Sequence, residues 1–223
     1  MVKDEKILCV YRDKLDTSKI NKSFEVVDIA DRDNVLIPEP GVHPIIDNRF
    51  VTVERSVAEN NEKYIQIVVG LILKCRDKYV FMKCINGIMN NHTTLIQGHV
   101  NFEKSKCASL LISLRLEIIR ELFEELSIEN IIDPRNKYDY LASELKPMYV
   151  NYNLKDKNRP SYYHYGFIYK LDLPYVLYNS VNESNLISNE LSKNIAIVVT
   201  KDQLSNLENP DSWLSEMITK QNF

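Results

Sequence analysis

Glycine is scarce in this chain, with five among 223 residues, so each position that keeps one is more informative than usual. Charge of one sign is lacking too. The 28 lysines and arginines stand against 31 aspartates and glutamates, for a formal balance of −3. That balance excludes a global electrostatic pull toward nucleic acid or a membrane surface. No stretch approaches the roughly 18 uninterrupted apolar residues of a membrane-spanning helix. The opening MVKDEK leads into a short strand-like run and lacks the apolar core of a secretion signal. The four cysteines, Cys9, Cys75, Cys84 and Cys107, form no CxxC pair, and three of them sit inside apolar runs. They read as free thiols of a reducing compartment rather than as disulfides or zinc ligands. The expected location is therefore cytoplasmic. Internal repeats and low-complexity segments are absent.

What remains is an ordinary globular balance, 44% hydrophobic and 26% charged. The length suits one large domain, or one domain with a small appendage. Strand-like runs come first: ILCVYR (7–12), FEVVDIA (24–30) and RFVTVER (49–55), with a loop holding Pro38, Pro40, Gly41 and Pro44 before the third. The polar break Glu59-Asn60-Asn61-Glu62 places a boundary there, so residues 1–60 read as a strand-rich N-terminal extension and 61–223 as the main domain. YIQIVVGLILKC (64–75) is the longest strand signal. A charged turn, Arg76-Asp77-Lys78, joins it to YVFMKCI (79–85), and its almost wholly apolar first arm belongs in the centre of a sheet. Further strands are expected at TTLIQGHV (93–100, ending at Gly98), KPMYVNYN (146–153), YHYGFIYKL (163–171) and NIAIVVT (194–200). The tail from about Lys201 reads as a helix or two, broken by Pro210 and anchored by Trp213. This is a mixed sheet with helices packed on it.

From about Ser109 to Leu126 the period becomes helical. Leu111, Ile118, Leu122 and Leu126, with Ile112 and Ile119 beside them, share one side, which Arg115 interrupts near the start. Glu117, Glu121, Glu124 and Glu125 occupy another arc of about 100°, centred roughly 130° round the helix from the first. Glu117–Glu121 and Glu121–Glu125 are like-charged i,i+4 pairs, each costing a helix roughly 0.2–0.5 kcal/mol. Arg120 is the one basic residue between 117 and 129. A solvated acidic face accounts for the polarity but not for like charges repeating without lysine partners. A hard divalent cation, which prefers oxygen ligands, accounts for both. Upstream, Gly98 lets the backbone come close to a metal or phosphate. His99 beside it reads equally well as a hydrogen-bonded loop histidine or as a functional one.

RELFEELSI (120–128) resembles the second half of the Nudix box, and LIQGHV (95–100) is similar to the strand and loop that open it. Four positions depart from the pattern. Gln97 stands for the first glycine, and Ser127 for the late one. The stretch from Gly98 to Arg120 is about eight residues longer than the standard box. Ile112 sits where the early glutamate belongs, leaving Glu103 or Glu117 to substitute. Residues 55–70, 98–101, 164–171 and Trp213 extend the resemblance to most of 50–220, toward a branch of Nudix-like proteins with a longer box and an N-terminal extension.

The resemblance implies an α/β (α+β) fold, a Nudix-type mixed sheet sandwiched between helices. It implies a magnesium-dependent pyrophosphohydrolase, with manganese as the substitute ion, in which water attacks a nucleoside diphosphate linked to another moiety. Glu121, Glu124 and Glu125 are then the metal ligands, with the Gln97 carbonyl as a further one and Glu117 the stand-in for the early glutamate. Arg120 orients the glutamates, and Glu121 is the choice for general base. Substrate contacts are expected from Gly98 and His99 and from the segment 153–166, where Lys155 and Arg159 suit phosphate and Tyr163 and His164 suit a base. A solvated loop leading into a strand of packed tyrosines is the plainer reading of that segment. Two other functions share the fold: a non-catalytic module that binds or senses a nucleotide, and an isoprenoid diphosphate isomerase, for which Cys84 and Cys107 lack a suitable motif. Residues 1–60 read as a dimer arm, a lid or a scaffold, the first making the protein a homodimer.

Overall fold

The longest apolar run makes the longest strand. In the computed structural model, Tyr64–Cys75 is a single twelve-residue strand, buried along nearly its whole length. The structure describes residues 5–14, 25–28, 50–87, 89–101, 110–126, 141, 144–152, 160–173 and 194–219. Within these the strands are β1 (Lys6–Tyr11), β2 (Glu25–Asp28), β3 (Phe50–Glu54), β4 (Tyr64–Cys75), β5 (Lys78–Cys84), β6 (Thr93–Thr94), β7 (Ile96–His99), β8 (Lys146–Tyr152), β9 (His164–Leu173) and β10 (Asn194–Thr200). The helices are α1 (Arg55–Glu59), α2 (Leu110–Glu125) and α3 (Ser212–Thr219). Strand order is β10-β5-β4-β9-β8-β2, with β1 and β7 also on β4, β3 on β1, and β6 on β5. No described helix is long and apolar enough to cross a membrane.

The chain divides into two compact units. The first comprises Met1–Val69, Gly98–Glu117 and Pro147–Ile168. Here β1 pairs antiparallel with β3, from Lys6↔Glu54 to Val10↔Phe50, and with the start of β4, from Cys9↔Gln66 to Tyr11↔Tyr64. With both edges paired, β1 buries four residues in a row, Ile7 to Val10. Ile7, Cys9, Val53 and Ala58 form one apolar cluster. Arg55, which the sequence placed in a strand, instead opens α1, and Arg55 bonds Glu59 one turn on at 2.8 Å. The run from Tyr165 to Tyr169 is buried at every position, so β9 is covered on both faces rather than packing its tyrosines alternately.

The second unit comprises Gly70–Gln97, Ile118–Lys146 and Tyr169–Phe223. The two-residue turn Arg76-Asp77 joins β4 to β5, with φ of 60° at Arg76. That is the positive-φ conformation that a two-residue hairpin turn takes at its first central residue. β10 pairs with β5 over its whole length, from Asn194↔Cys84 to Thr200↔Lys78. Pro210 lies between a 3-10 turn (Lys201–Asn206) and α3, whose Trp213, Leu214 and Met217 are buried. Burial pushes the thiols of Cys9 and Cys75 up to about 12, the Asp172 charge adding to the second, so both are un-ionised at neutral pH.

Asp211 caps α3: its Oδ1 accepts a 2.7 Å hydrogen bond from the Leu214 amide. Burial raises its carboxyl above the usual range, while bonds from the Leu214 amide, Thr94 and the Trp213 amide pull the other way. Asp211→Ala should therefore cost roughly 1–2 kcal/mol in urea denaturation, the worth of a lost N-cap. Asp211→Asn keeps the acceptor and sheds the buried charge, so it should cost little. Equal losses in the two variants would show that the cap bond is not what matters.

Candidate functional site

The carboxylate ridge lies on α2, and the helix does not leave it in water. Glu117 is 2% exposed and Glu121 8%. A carboxylate held so far from solvent must be paired, hydrogen-bonded or bound to a cation. The solvated-face reading of this helix therefore fails at two of its four glutamates. The apolar side is as expected at Ile118, Ile119, Leu122 and Leu126, all buried. It is not at Ile112, which is 50% exposed. Ile119 and Phe123 share nearly the azimuth of Ile112 two to three turns on and are buried, so that side of the helix is covered only farther along.

Arg120, Glu121, Glu124 and Glu125 belong to the second unit together with Gln97. The Arg120 guanidinium donates through Nη2 to Glu121 Oε1 and through Nη1 to Glu124 Oε2. One planar fork thus spans two carboxylates. Glu125 is held differently. The Asn194 side-chain amide donates to Glu125 Oε2 at 2.9 Å and to Oε1 at 3.2 Å. Sequence reading missed Asn194, because a polar residue opening a strand looks like any strand boundary. Burial, then the Glu125 and Asp211 charges, push the half-buried Cys84 thiol up, which places that thiol within the field of Glu125.

In the first unit, His99 and His164 meet edge to face, their ring centroids 5.4 Å apart. The His99 Nε2 is buried and has no hydrogen-bond partner among the described residues. Burial, then the neighbouring His164 and Arg55, hold the His99 imidazole well below its ordinary pKa. Near neutral pH this ring is uncharged, suited to hydrogen bonding and not to balancing phosphate charge. The Oε1 of Gln66, on β4 in the same unit, is also buried and, among the described residues, without a hydrogen-bond partner. Tyr163 stacks edge to face with Tyr162 at 5.0 Å, and Arg12 lies 4.0 Å over the Tyr162 ring. Gly98 is half-buried. Lys155 and Arg159 lie outside the described residues.

Magnesium asks for hard oxygen donors, and the donor chemistry of Glu121, Glu124, Glu125 and the Gln97 carbonyl fits it. The partners of the three carboxylates include Arg120, for Glu121 and Glu124, and Asn194, for Glu125. Among the described residues no three His, Cys, Asp or Glu side chains converge on one point.

The fold matches a putative Nudix hydrolase, Tm1382, with a TM-score of 0.61 at 18% identity, over 98% of this chain and 100% of that one. Lesser likenesses, carrying no argument of their own, are to the Nudix domain of Shewanella oneidensis NrtR complexed with ADP ribose and to DR0079 of Deinococcus radiodurans. The first has a TM-score of 0.48 at 10% identity, over 71% of this chain and 86% of that one. The second has a TM-score of 0.45 at 14% identity, over 80% and 95%. No protein-family model matches the chain, and no curated protein matches it in sequence.

Proposed function

We propose that this protein is a magnesium-dependent pyrophosphohydrolase that cleaves a nucleoside diphosphate linked to another moiety. The observation that carries the reading is the withdrawal of Glu117 and Glu121 from solvent on a four-glutamate helix ridge of a Nudix fold. Repeated, buried like charges are costly, and holding a cation is a use that offsets the cost. Glu121, Glu124 and Glu125, with the Gln97 carbonyl, are the proposed metal ligands, manganese serving in place of magnesium, and Glu117 stands in for the displaced early glutamate. A bound divalent ion supplies charge neutralisation at phosphate oxygens and a lowered pKa for a coordinated water.

The chain's own residues do the rest. Arg120 keeps Glu121 and Glu124 in fixed relation through its fork, and Glu121 takes the proton from the attacking water. Gly98 leaves backbone room for the diphosphate. Lys155 and Arg159 supply phosphate charge. His99, uncharged, offers a hydrogen bond, and Tyr163 and His164 offer ring faces to a base.

The test is release of phosphate-bearing product from nucleoside triphosphates, dinucleoside polyphosphates and nucleotide sugars, with and without magnesium. Magnesium-dependent release from at least one is expected. A second reading, a nucleotide-binding module without turnover, draws on the guanidinium that now engages Glu121 and Glu124. Binding of one panel member with silence from all of them in turnover would replace the first reading with the second.

A further inference from the structure

The three glutamates of the proposed metal set are not held alike. Glu121 and Glu124 face a cation that moves with them, since Arg120 lies on the same helix. Glu125, the last residue of α2, is reached from a separate element by a neutral group, the Asn194 amide. Asn194 opens β10 and sits directly across from Cys84 of β5, in a pairing that continues for the full length of the strand. Its backbone is therefore fixed by the sheet, not by the helix it touches. A neutral donor in this place differs from a lysine or arginine. It orients the carboxylate and adds no positive charge of its own. Helix ends fray, and Glu125 sits at one. A donor anchored in the sheet restrains the carboxylate that the helix itself restrains least.

We propose that Asn194 is a positioning residue that presents the Glu125 carboxylate to the divalent ion. This rests on the metal reading above. Outer-shell partners of metal ligands are worth about 10–100-fold in metal affinity. The direct probe is Mn²⁺ binding to the full-length protein, followed by the electron paramagnetic resonance signal of the free ion, which needs no substrate. Asn194→Ala should raise the Mn²⁺ dissociation constant about tenfold. Asn194→Thr also removes the amide and keeps a good strand former, so it guards against a folding defect and should show the same loss. The decisive comparison is a double-mutant cycle with Glu125→Gln. If Asn194 acts through Glu125, then adding Asn194→Ala to Glu125→Gln changes affinity by less than about twofold. Wild-type affinity in both Asn194 variants, with loss in Glu125→Gln, would overturn the role of Asn194 and leave the metal site standing. Independent, additive losses would overturn it as well, since the effect would then bypass Glu125. Failure of the wild-type protein to bind Mn²⁺ would remove the metal reading, and this inference with it.

Discussion

Glu124→Gln is expected to cut magnesium-dependent turnover by about a hundredfold or more while leaving the protein folded. The first half follows from the proposed chemistry. Charge neutralisation by a bound ion supplies several kcal/mol to a phosphoryl transition state, and each 1.36 kcal/mol is tenfold in rate, so losing about 3 kcal/mol gives roughly 10²-fold. The second half follows from the structure. The Glu124 side chain is 54% exposed, and the group it loses is one end of an i,i+4 pair with Arg120. Exposed pairs of this spacing are worth about 0.3–0.5 kcal/mol. Glutamine keeps the shape and loses the charge. Initial rates across a magnesium titration, with a thermal melt of the same sample, separate the two effects. Turnover within twofold of wild type would remove Glu124 from the metal set. A collapsed melt would show that the residue matters to the fold.

The features legible in the sequence were those whose physics is local. The ends of β4 and β10 could be read because their apolar runs stop against charged or polar residues, and the hairpin at Arg76-Asp77 because charge interrupts two such runs. The span of α2 was legible from its period, and so was the arc on which its glutamates lie. The burial of that arc was not. A solvated acidic ridge and a ridge turned inward have one and the same sequence pattern, and only tertiary packing distinguishes them, as it does at Glu117 and Glu121. α1 was missed for a related reason: five residues, RSVAE, are too few to show a period, and the strand before them carries the pattern through Arg55. Asn194 was missed because its role depends on a partner 69 positions away. The resemblance to the Nudix box supplied the functional reading, and it rested on the half of the box that stays close to the pattern, RELFEE.

The register of α2 is open to a direct test, because two of its aliphatic residues should respond in opposite ways. Leu122 is fully buried, whereas Ile112 is half exposed, although both were expected on the apolar side. Leu122→Ala should cost about 2–5 kcal/mol, the transfer of the lost methyl groups plus the cavity that remains. Ile112→Ala should cost no more than about 0.5 kcal/mol, as surface changes do. Chemical denaturation of both variants checks the contrast, and comparable losses would mean that the helix is turned otherwise than described. The contrast also bears on activity. Leu122 adjoins Glu121 in the chain and forms part of the turn that Arg120 and Glu121 occupy, so a cavity beneath it loosens a carboxylate that the proposed metal site needs held still. Leu122→Ala should lose turnover and stability together, Glu124→Gln turnover alone, and Ile112→Ala neither. That three-way pattern distinguishes a helix that is both core element and metal ridge from one that is only a core element.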